Sequence, residues 1–279
     1  MVRLMRTATT TLPVDVLAAL ERALAEETEE IAKAQLRTIL ENARLAEESR
    51  VPMCQDTGVP IFYVSGRWDE GLEAGIRQGV ARATREVPLR PNVVHPLTRH
   101  NTGDNLGEGM PVVHFSPPKG DFVEIVHMPK GAGSENMSAL RMLNPSEGAA
   151  GIKRAVLEVV TRAGGRPCPP TIVGLGVGGT AEGAAYLAKK AVLRPVGRRS
   201  PDPEAARLEE DLELMLNRSG VGPMGLGGRT TVLGVSVELA HCHTASLPVA
   251  INLQCWAARR CSARIYPDGR VLFRTEGFE

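Results

Sequence analysis

The chain has 279 residues, a formal net charge of +1 and a sequence pI of about 7.7. That length buries a real core, as one large domain or two small ones. Its sign-mixed charge and few aromatics leave no footprint for nucleic acid, and no apolar run approaches the roughly 18 residues of a membrane span.

In chain order, 14 to about 48 is rich in Ala, Leu, Glu and Arg with apolar residues at helical spacing, which predicts two helices or one long one. The hexapeptide Met1-Val2-Arg3-Leu4-Met5-Arg6 lacks the apolar stretch of a signal peptide. Cys54-Gln55-Asp56-Thr57-Gly58 follows as a loop between Pro52 and the apolar run Val59-Pro60-Ile61-Phe62-Tyr63-Val64, a predicted strand. The segment from Trp68 to Glu86 is acidic at its start and basic near its end, as a helix macrodipole favours, and Pro88 stops it. Leu89-Arg90-Pro91-Asn92 is irregular, and Arg99 to Gly107 is a polar, glycine-punctuated loop. Val112–Phe115 and Phe122–Met128 are predicted strands joined by a Pro-Pro-Lys-Gly-Asp turn. A second glycine-rich loop, Lys130-Gly131-Ala132-Gly133-Ser134-Glu135-Asn136, precedes a helix from Glu147 to Ala163. Thr171-Ile172-Val173 reads as a short strand that enters the glycine run Gly174 to Gly179. Thr180 is placed to cap a helix running to about Val192. Asp202 to Asn217 is another helix, Thr230 to Glu238 a strand, and Arg264 to Phe273 a hairpin with an Asp-Gly turn. The whole predicts a mixed α/β (α+β) fold. Its mixed sheets are flanked by helices, long Gly/Pro-rich loops carry the site, and the N-terminal segment is helical. We expect a single domain over 1–279 that includes this helical segment.

Gly174 to Gly179 matches the G-x-G-x-x-G dinucleotide pattern between a strand and a helix. No acidic residue ends a second strand about 20 residues on, as the ribose contact requires. Tight packing is the first reading, carboxylate binding at a helix N-terminus the second and NAD the third. Five cysteines, an odd number without close pairs, argue against a disulfide framework and suit a reducing, cytoplasmic setting. None forms C-x-x-C, so a zinc finger is disfavoured. Soft thiolates far apart in sequence suit an iron–sulfur site, against the alternative of small apolar cysteines in a core. His243, in His241-Cys242-His243, is suited to proton transfer near neutral pH, although a lone histidine is the commoner case.

Five segments, in order over nearly the whole chain, resemble the α subunit of the two-subunit iron–sulfur (class I) fumarate hydratases and of the related L-tartrate dehydratases. They are Cys54-Gln55-Asp56-Thr57-Gly58, Asn101-Thr102-Gly103-Asp104-Asn105, Lys130 to Asn136, Cys168-Pro169-Pro170 with its glycine loop, and His243-Thr244-Ala245-Ser246-Leu247-Pro248-Val249 leading to Cys255-Trp256-Ala257. The resemblance implies a [4Fe–4S] cluster held by Cys54, Cys168 and Cys255, with one iron left open. Cys255 is preferred to Cys261 for its distance from the His243 segment, although the chain reads Ala257-Ala258-Arg259 where an acidic residue often follows the alanine. Asp56 and His243 resemble acid/base residues, and Gln55, Arg90 and Gly133 resemble groups that hold substrate. For Lys130 and Asn101 a structural role is at least as well supported. The implied reaction is the reversible dehydration of (S)-malate to fumarate, with L(+)-tartrate as the alternative substrate and a non-catalytic iron–sulfur sensor as the alternative of another class. The chain is short beside single-chain relatives, which implies a β subunit that completes the site, in an α2β2 assembly.

Overall fold

The computed structural model describes residues 1–67 and 70–275, which form two compact units. The first comprises Met1–Val14, Glu41–Gly131 and the chain from Arg259 onward. Its sheet has the order β2-β1-β3-β8-β9, from β1 (Val59–Ser65), β2 (Val112–Ser116), β3 (Val123–Lys130), β8 (Cys261–Ile265) and β9 (Val271–Arg274). Two helices supply apolar side chains to the core of this unit, α1 (Val2–Thr10) and α4 (Glu70–Glu86). Leu4, Met5 and Ala8 join Ile76, Val80 and Ala83 around Phe62, Val64, Ile125 and Ala263. Such i, i+4 spacing puts one apolar stripe on each helix. The periodicity reading does not anticipate α1, because the polar Thr9 and Thr10 share its buried face with Leu4, Met5 and Ala8. The predicted Trp68 start of α4 lies outside the described residues. The two strands read as neighbours across the Pro117-Pro118 turn are not paired. β1 lies between them, parallel to β2 and antiparallel to β3. The Asp-Gly hairpin forms as β8 and β9.

This topology gathers three segments at one end of the first sheet. β1 begins there, antiparallel β3 ends there at Lys130, and β8 begins there. The Asp56 loop, Lys130-Gly131 and Arg259-Arg260 are therefore neighbours.

The second unit comprises Asp15–Leu40 and Ala132–Ala258. It takes most of α2 (Val14–Glu26) and the first part of α3 (Glu30–Ser49), the two helices of the predicted 14–48 segment. Its sheet has the order β4-β7-β5-β6, from β4 (Ala139–Leu143), β5 (Thr171–Gly178), β6 (Val232–Ala240) and β7 (Leu247–Gln254). β5 and β6 run parallel, and β7 runs antiparallel to β5 and β4. The short helix α5 (Ala132–Glu135) precedes β4. One face of the sheet packs Val173, Leu175, Val177, Val249, Ile251 and Leu253 against α6 (Gly148–Ala163) and α8 (Pro203–Asn217). α8 starts as predicted, with Asp202 accepting from the backbone N–H of Glu204 and Ala205. The other face takes α7 (Ala181–Ala191), whose Ala184 and Ala188 meet Ala250.

The glycine run is explained by that second face. β5 does not end at Val173 but continues through Gly178. A Cβ on Gly174 would stand 2.2 Å from the Ala188 carbonyl oxygen, and one on Gly176 would stand 2.0 Å from that of Ala184. Both glycines lie inside the strand and let α7 approach the sheet, so the pattern is packing rather than a phosphate loop. Thr180 is the N-cap of α7 by position, but its hydroxyl donates to Glu182 rather than capping the backbone.

Candidate active site

In the first unit, the Cys54 loop is tied down on both sides. The Met53 N–H donates to the Thr9 carbonyl at 3.1 Å, and Asn42 Nδ2 donates to the Met53 carbonyl at 2.9 Å. Cys54 is half-buried, Gln55 exposed and Asp56 half-buried. Asp56 Oδ1 accepts from the Gly58 N–H at 3.0 Å, an Asx turn that fixes the carboxylate on its own backbone, and from Asn92 Nδ2 at 3.3 Å. Gly58 is obligatory: its φ is +81°, and a Cβ would stand 2.7 Å from the Lys130 nitrogen. A Cβ on Gly131 would stand 3.1 Å from Asp56 Oδ2. Bare backbone thus borders the carboxylate.

Arg90 is brought to the same place. Its N–H donates to Thr57 Oγ1 at 3.1 Å, the Thr57 hydroxyl donates back to its carbonyl at 3.3 Å, and Asn105 Nδ2 donates to that carbonyl at 3.1 Å. The Arg90 guanidinium is exposed. Its backbone is fixed while its charge faces water, which suits capture of a carboxylate by two parallel hydrogen bonds.

Asn92 and Asn105, which sequence reasoning misses, hold the candidate site residues in place. Asn92 bridges Asp56, Thr57 and Gly58, and buried Asn105 holds the Asn92 N–H at 2.7 Å and Thr84 Oγ1 at 3.1 Å. The signal for Asn105 was its place in the Asn-Thr-Gly-Asp-Asn segment. Asn101 donates to the Pro91 carbonyl and accepts from the Gly103 N–H.

In the second unit, Cys168 and Cys255 come together. The Trp256 N–H donates to the Cys168 carbonyl at 3.1 Å, so the two cysteines stand on hydrogen-bonded backbone, both half-buried. Cys168 has φ +54°, the left-handed region that L residues seldom adopt. The Met224 N–H on the Pro169 carbonyl at 2.8 Å and the Gly165 carbonyl on the Cys168 N–H at 3.0 Å hold it there. Gly225 packs so closely on Gly165 that a Cβ would stand 2.5 Å from its Cα, which accounts for the glycine-rich 220–228 segment. Gly133, in α5, is at the same place, since its Cβ would stand 3.2 Å from the Arg166 carbonyl oxygen.

His243 is not brought to that cysteine pair. It precedes β7, whereas Cys255 follows it, and an eight-residue strand spans about 26 Å. His243 is exposed and lines a separate cavity of about 690 Å³ with His241, Cys242, Ser246, Thr180 and Tyr186. Its Nδ1 accepts from the Ala245 N–H at 3.1 Å, so the neutral ring carries its proton on Nε2.

Cys261 is fully buried in the apolar core of the first unit, and Cys242 is exposed. Two half-buried cysteines on hydrogen-bonded backbone offer thiols of the softness that iron–sulfur clusters require, and they fit such a group. Among the described residues no three His, Cys, Asp or Glu side chains are gathered as for a single metal ion. Thiolates on a cluster are spaced by the cluster itself.

The fumarate hydratase (Fumerase) family model matches residues 1–264. The chain belongs to the fumarate hydratase family. A protein of Methanocaldococcus jannaschii, provisionally named L(+)-tartrate dehydratase subunit alpha, is 52% identical over 278 residues, 97% of this chain and 98% of the relative. The L(+)-tartrate dehydratase subunit alpha of Escherichia coli strain UTI89 is 39% identical over 264 residues, 93% of this chain and 87% of the relative. The protein of the same name in strain K12 is 38% identical over the same span. As a member of the fumarate hydratase family, the chain is a hydro-lyase.

Proposed function

We propose that this chain is the α subunit of a two-subunit iron–sulfur hydro-lyase that dehydrates a 2-hydroxy dicarboxylate, with L(+)-tartrate preferred to (S)-malate. Sequence reasoning puts (S)-malate first. The names borne by relatives that match almost end to end reverse that order, and this is the observation that carries the reading. The same names support a β subunit as partner, which we place in an α2β2 assembly.

Cys54, Cys168 and Cys255 would hold a [4Fe–4S] cluster, whose open iron supplies a Lewis acid for the leaving hydroxide. The remaining work falls to side chains and backbone. Arg90 grips a substrate carboxylate, the Gly133 N–H offers a donor and Gln55 orients the substrate from the Asp56 loop. Asp56, fixed by Gly58 and Asn92, exchanges the proton at the carbon next to the hydroxyl-bearing one. His243 opens on its own cavity at the far end of β7, so we assign its proton transfer to the site of the second α copy.

The deciding experiment co-expresses the chain with its β subunit under anaerobic conditions and measures kcat/KM for L(+)-tartrate and (S)-malate. The two differ by one hydroxyl, and a site that hydrogen-bonds that hydroxyl rejects the analogue lacking it by about 10⁴-fold. A preference of that order for tartrate supports the reading. A preference for malate returns the chain to fumarate hydratase proper, and turnover of neither refutes both.

A further inference from the structure

Arg259 is among the largest fully buried side chains, 2% exposed, and its Nε and Nη1 meet no hydrogen-bond partner among the described residues. An interior cation with unmet donors is costly and calls for a reason. Two neighbours supply one.

The first is His127, on β3 and also fully buried. Its Nδ1 lies 3.3 Å from the Ile61 carbonyl, to which only an N–H can donate, so Nε2 is left as a bare acceptor, itself without a partner. Burial first, then the charge of Arg259, pushes the His127 pKa down to about 3, against which the Ile61 carbonyl works, and the ring is neutral. Phe62 stacks on it at 4.7 Å and fixes its plane. The His127 acceptor and the Arg259 donors are both unmet among the described residues, and the ring feels the Arg259 charge.

The second neighbour is Asp56. A Cβ on Gly131 would stand 3.1 Å from Asp56 Oδ2 and 3.7 Å from Arg259 Nη2, so both groups flank the same glycine. Asp56 Oδ1 is already held by Gly58 and Asn92. Oδ2 is the carboxylate oxygen that lies against Gly131, as Arg259 Nη2 does.

We propose that Arg259 is a positioning residue for Asp56, its Nη2 and the carboxylate standing against the same glycine, Gly131. The proposal rests on the reading of Asp56 as an acid/base group. The three residues lie at the end of the first sheet where β1 and β8 begin and β3 ends, so the backbone itself supplies the alignment. Arginine suits the role because its planar guanidinium stays charged and presents its donors in a fixed geometry.

The test uses the co-expressed α and β subunits with cluster loaded, in the variants R259Q, R259K, D56N and the double variant D56N/R259Q. R259Q is expected to lower kcat about 10- to 100-fold, as for a displaced reacting group. KM should stay within about 3-fold, since uniform substrate binding is not lost. The cluster's visible absorbance should be unchanged, and R259K should recover part of kcat. In the D56N background R259Q should add nothing, because the group it positions is gone. A tenfold rise in KM with kcat retained would make Arg259 a substrate ligand instead and overturn the proposal. So would full additivity with D56N, or failure of both R259Q and R259K to assemble, which would make the guanidinium a folding element. Wild-type turnover by D56N would refute the acid/base reading itself and is a separate result.

Discussion

His127 makes the stability of the first unit depend on pH in a calculable way. The ring is fully buried, and its pKa falls from the ordinary 6.5 to about 3. Between those values the unfolded chain binds a proton that the folded chain does not, so stability is full above pH 6.5 and declines as pH falls. Each pH unit below 6.5 costs about 1.4 kcal/mol, so the fall from pH 7.5 to 5.5 removes about 1.4 kcal/mol in all. Carboxylates held below their usual range, such as Glu147 on the Asn144 N–H, lose their contribution only at lower pH, outside this window. Replacing His127 by Phe keeps a ring against Phe62 and removes the titration. It also removes the bond to the Ile61 carbonyl, a cost of about 1 kcal/mol that does not vary with pH. Urea unfolding of both proteins at pH 7.5, 6.5 and 5.5 should therefore give a gap between wild type and H127F that narrows by about 1.4 kcal/mol on acidification. A constant gap across the three pH values would mean that His127 is protonated in the folded state or reaches water, and the account of Arg259 beside a neutral ring would fall with it.

Three further outcomes are expected. Cys54→Ser, Cys168→Ser and Cys255→Ser should each abolish the absorbance of an anaerobically reconstituted cluster, whereas Cys261→Ser, a change in the apolar core, should keep it; loss only with Cys261 would reassign the third ligand. Gly131→Ala should lower kcat about 10- to 100-fold while the far-ultraviolet circular dichroism is unchanged, since the new methyl stands 3.1 Å from Asp56 Oδ2, and unaltered kcat would separate that backbone from the chemistry. Asp56→Asn and His243→Asn chains, each inactive alone with the β subunit, should regain activity when co-expressed, because a mixed pair contains one site with both groups intact. No recovery would place His243 in the site of its own chain or outside the reaction.

Local signals made much of the fold legible. The macrodipole pattern located α4, Asp202 marked the start of α8, and the Asp-Gly pair placed the last hairpin. What failed depended on partners distant in sequence. β4 and β7 lack a local signal: Ala139–Leu143 is short, and Pro248 and Asn252 interrupt the apolar run Leu247–Leu253. The link from Val112 to Val123 looks like a local turn, but β1 comes between the two strands, and no local pattern encodes that insertion. At the site, the sequence order showed which side chains carry chemistry but not what holds them. Asn105 and His127 act through bonds to residues 15 and 66 positions away, and nothing in their own neighbourhoods announces it.

The second sheet also bears on how many chains the reaction needs. β7 is continuous from Leu247 to Gln254, hydrogen-bonded to β4 and β5, and its central side chains are buried in the core. Such a strand cannot fold back to bring His243 to Cys255 without breaking two ladders. α7 reinforces this, packed against Gly174 and Gly176 with no room for even a methyl group between helix and sheet. Under the roles proposed for Cys255 and His243, a rigid element with one at each end would serve the reaction when two copies face each other, each lending its histidine to the other's cysteine-bearing end. That arrangement asks for a dimer of α chains at the heart of the assembly. It also makes the separation of His243 from Cys255 a constraint on quaternary structure rather than an objection to the chemistry.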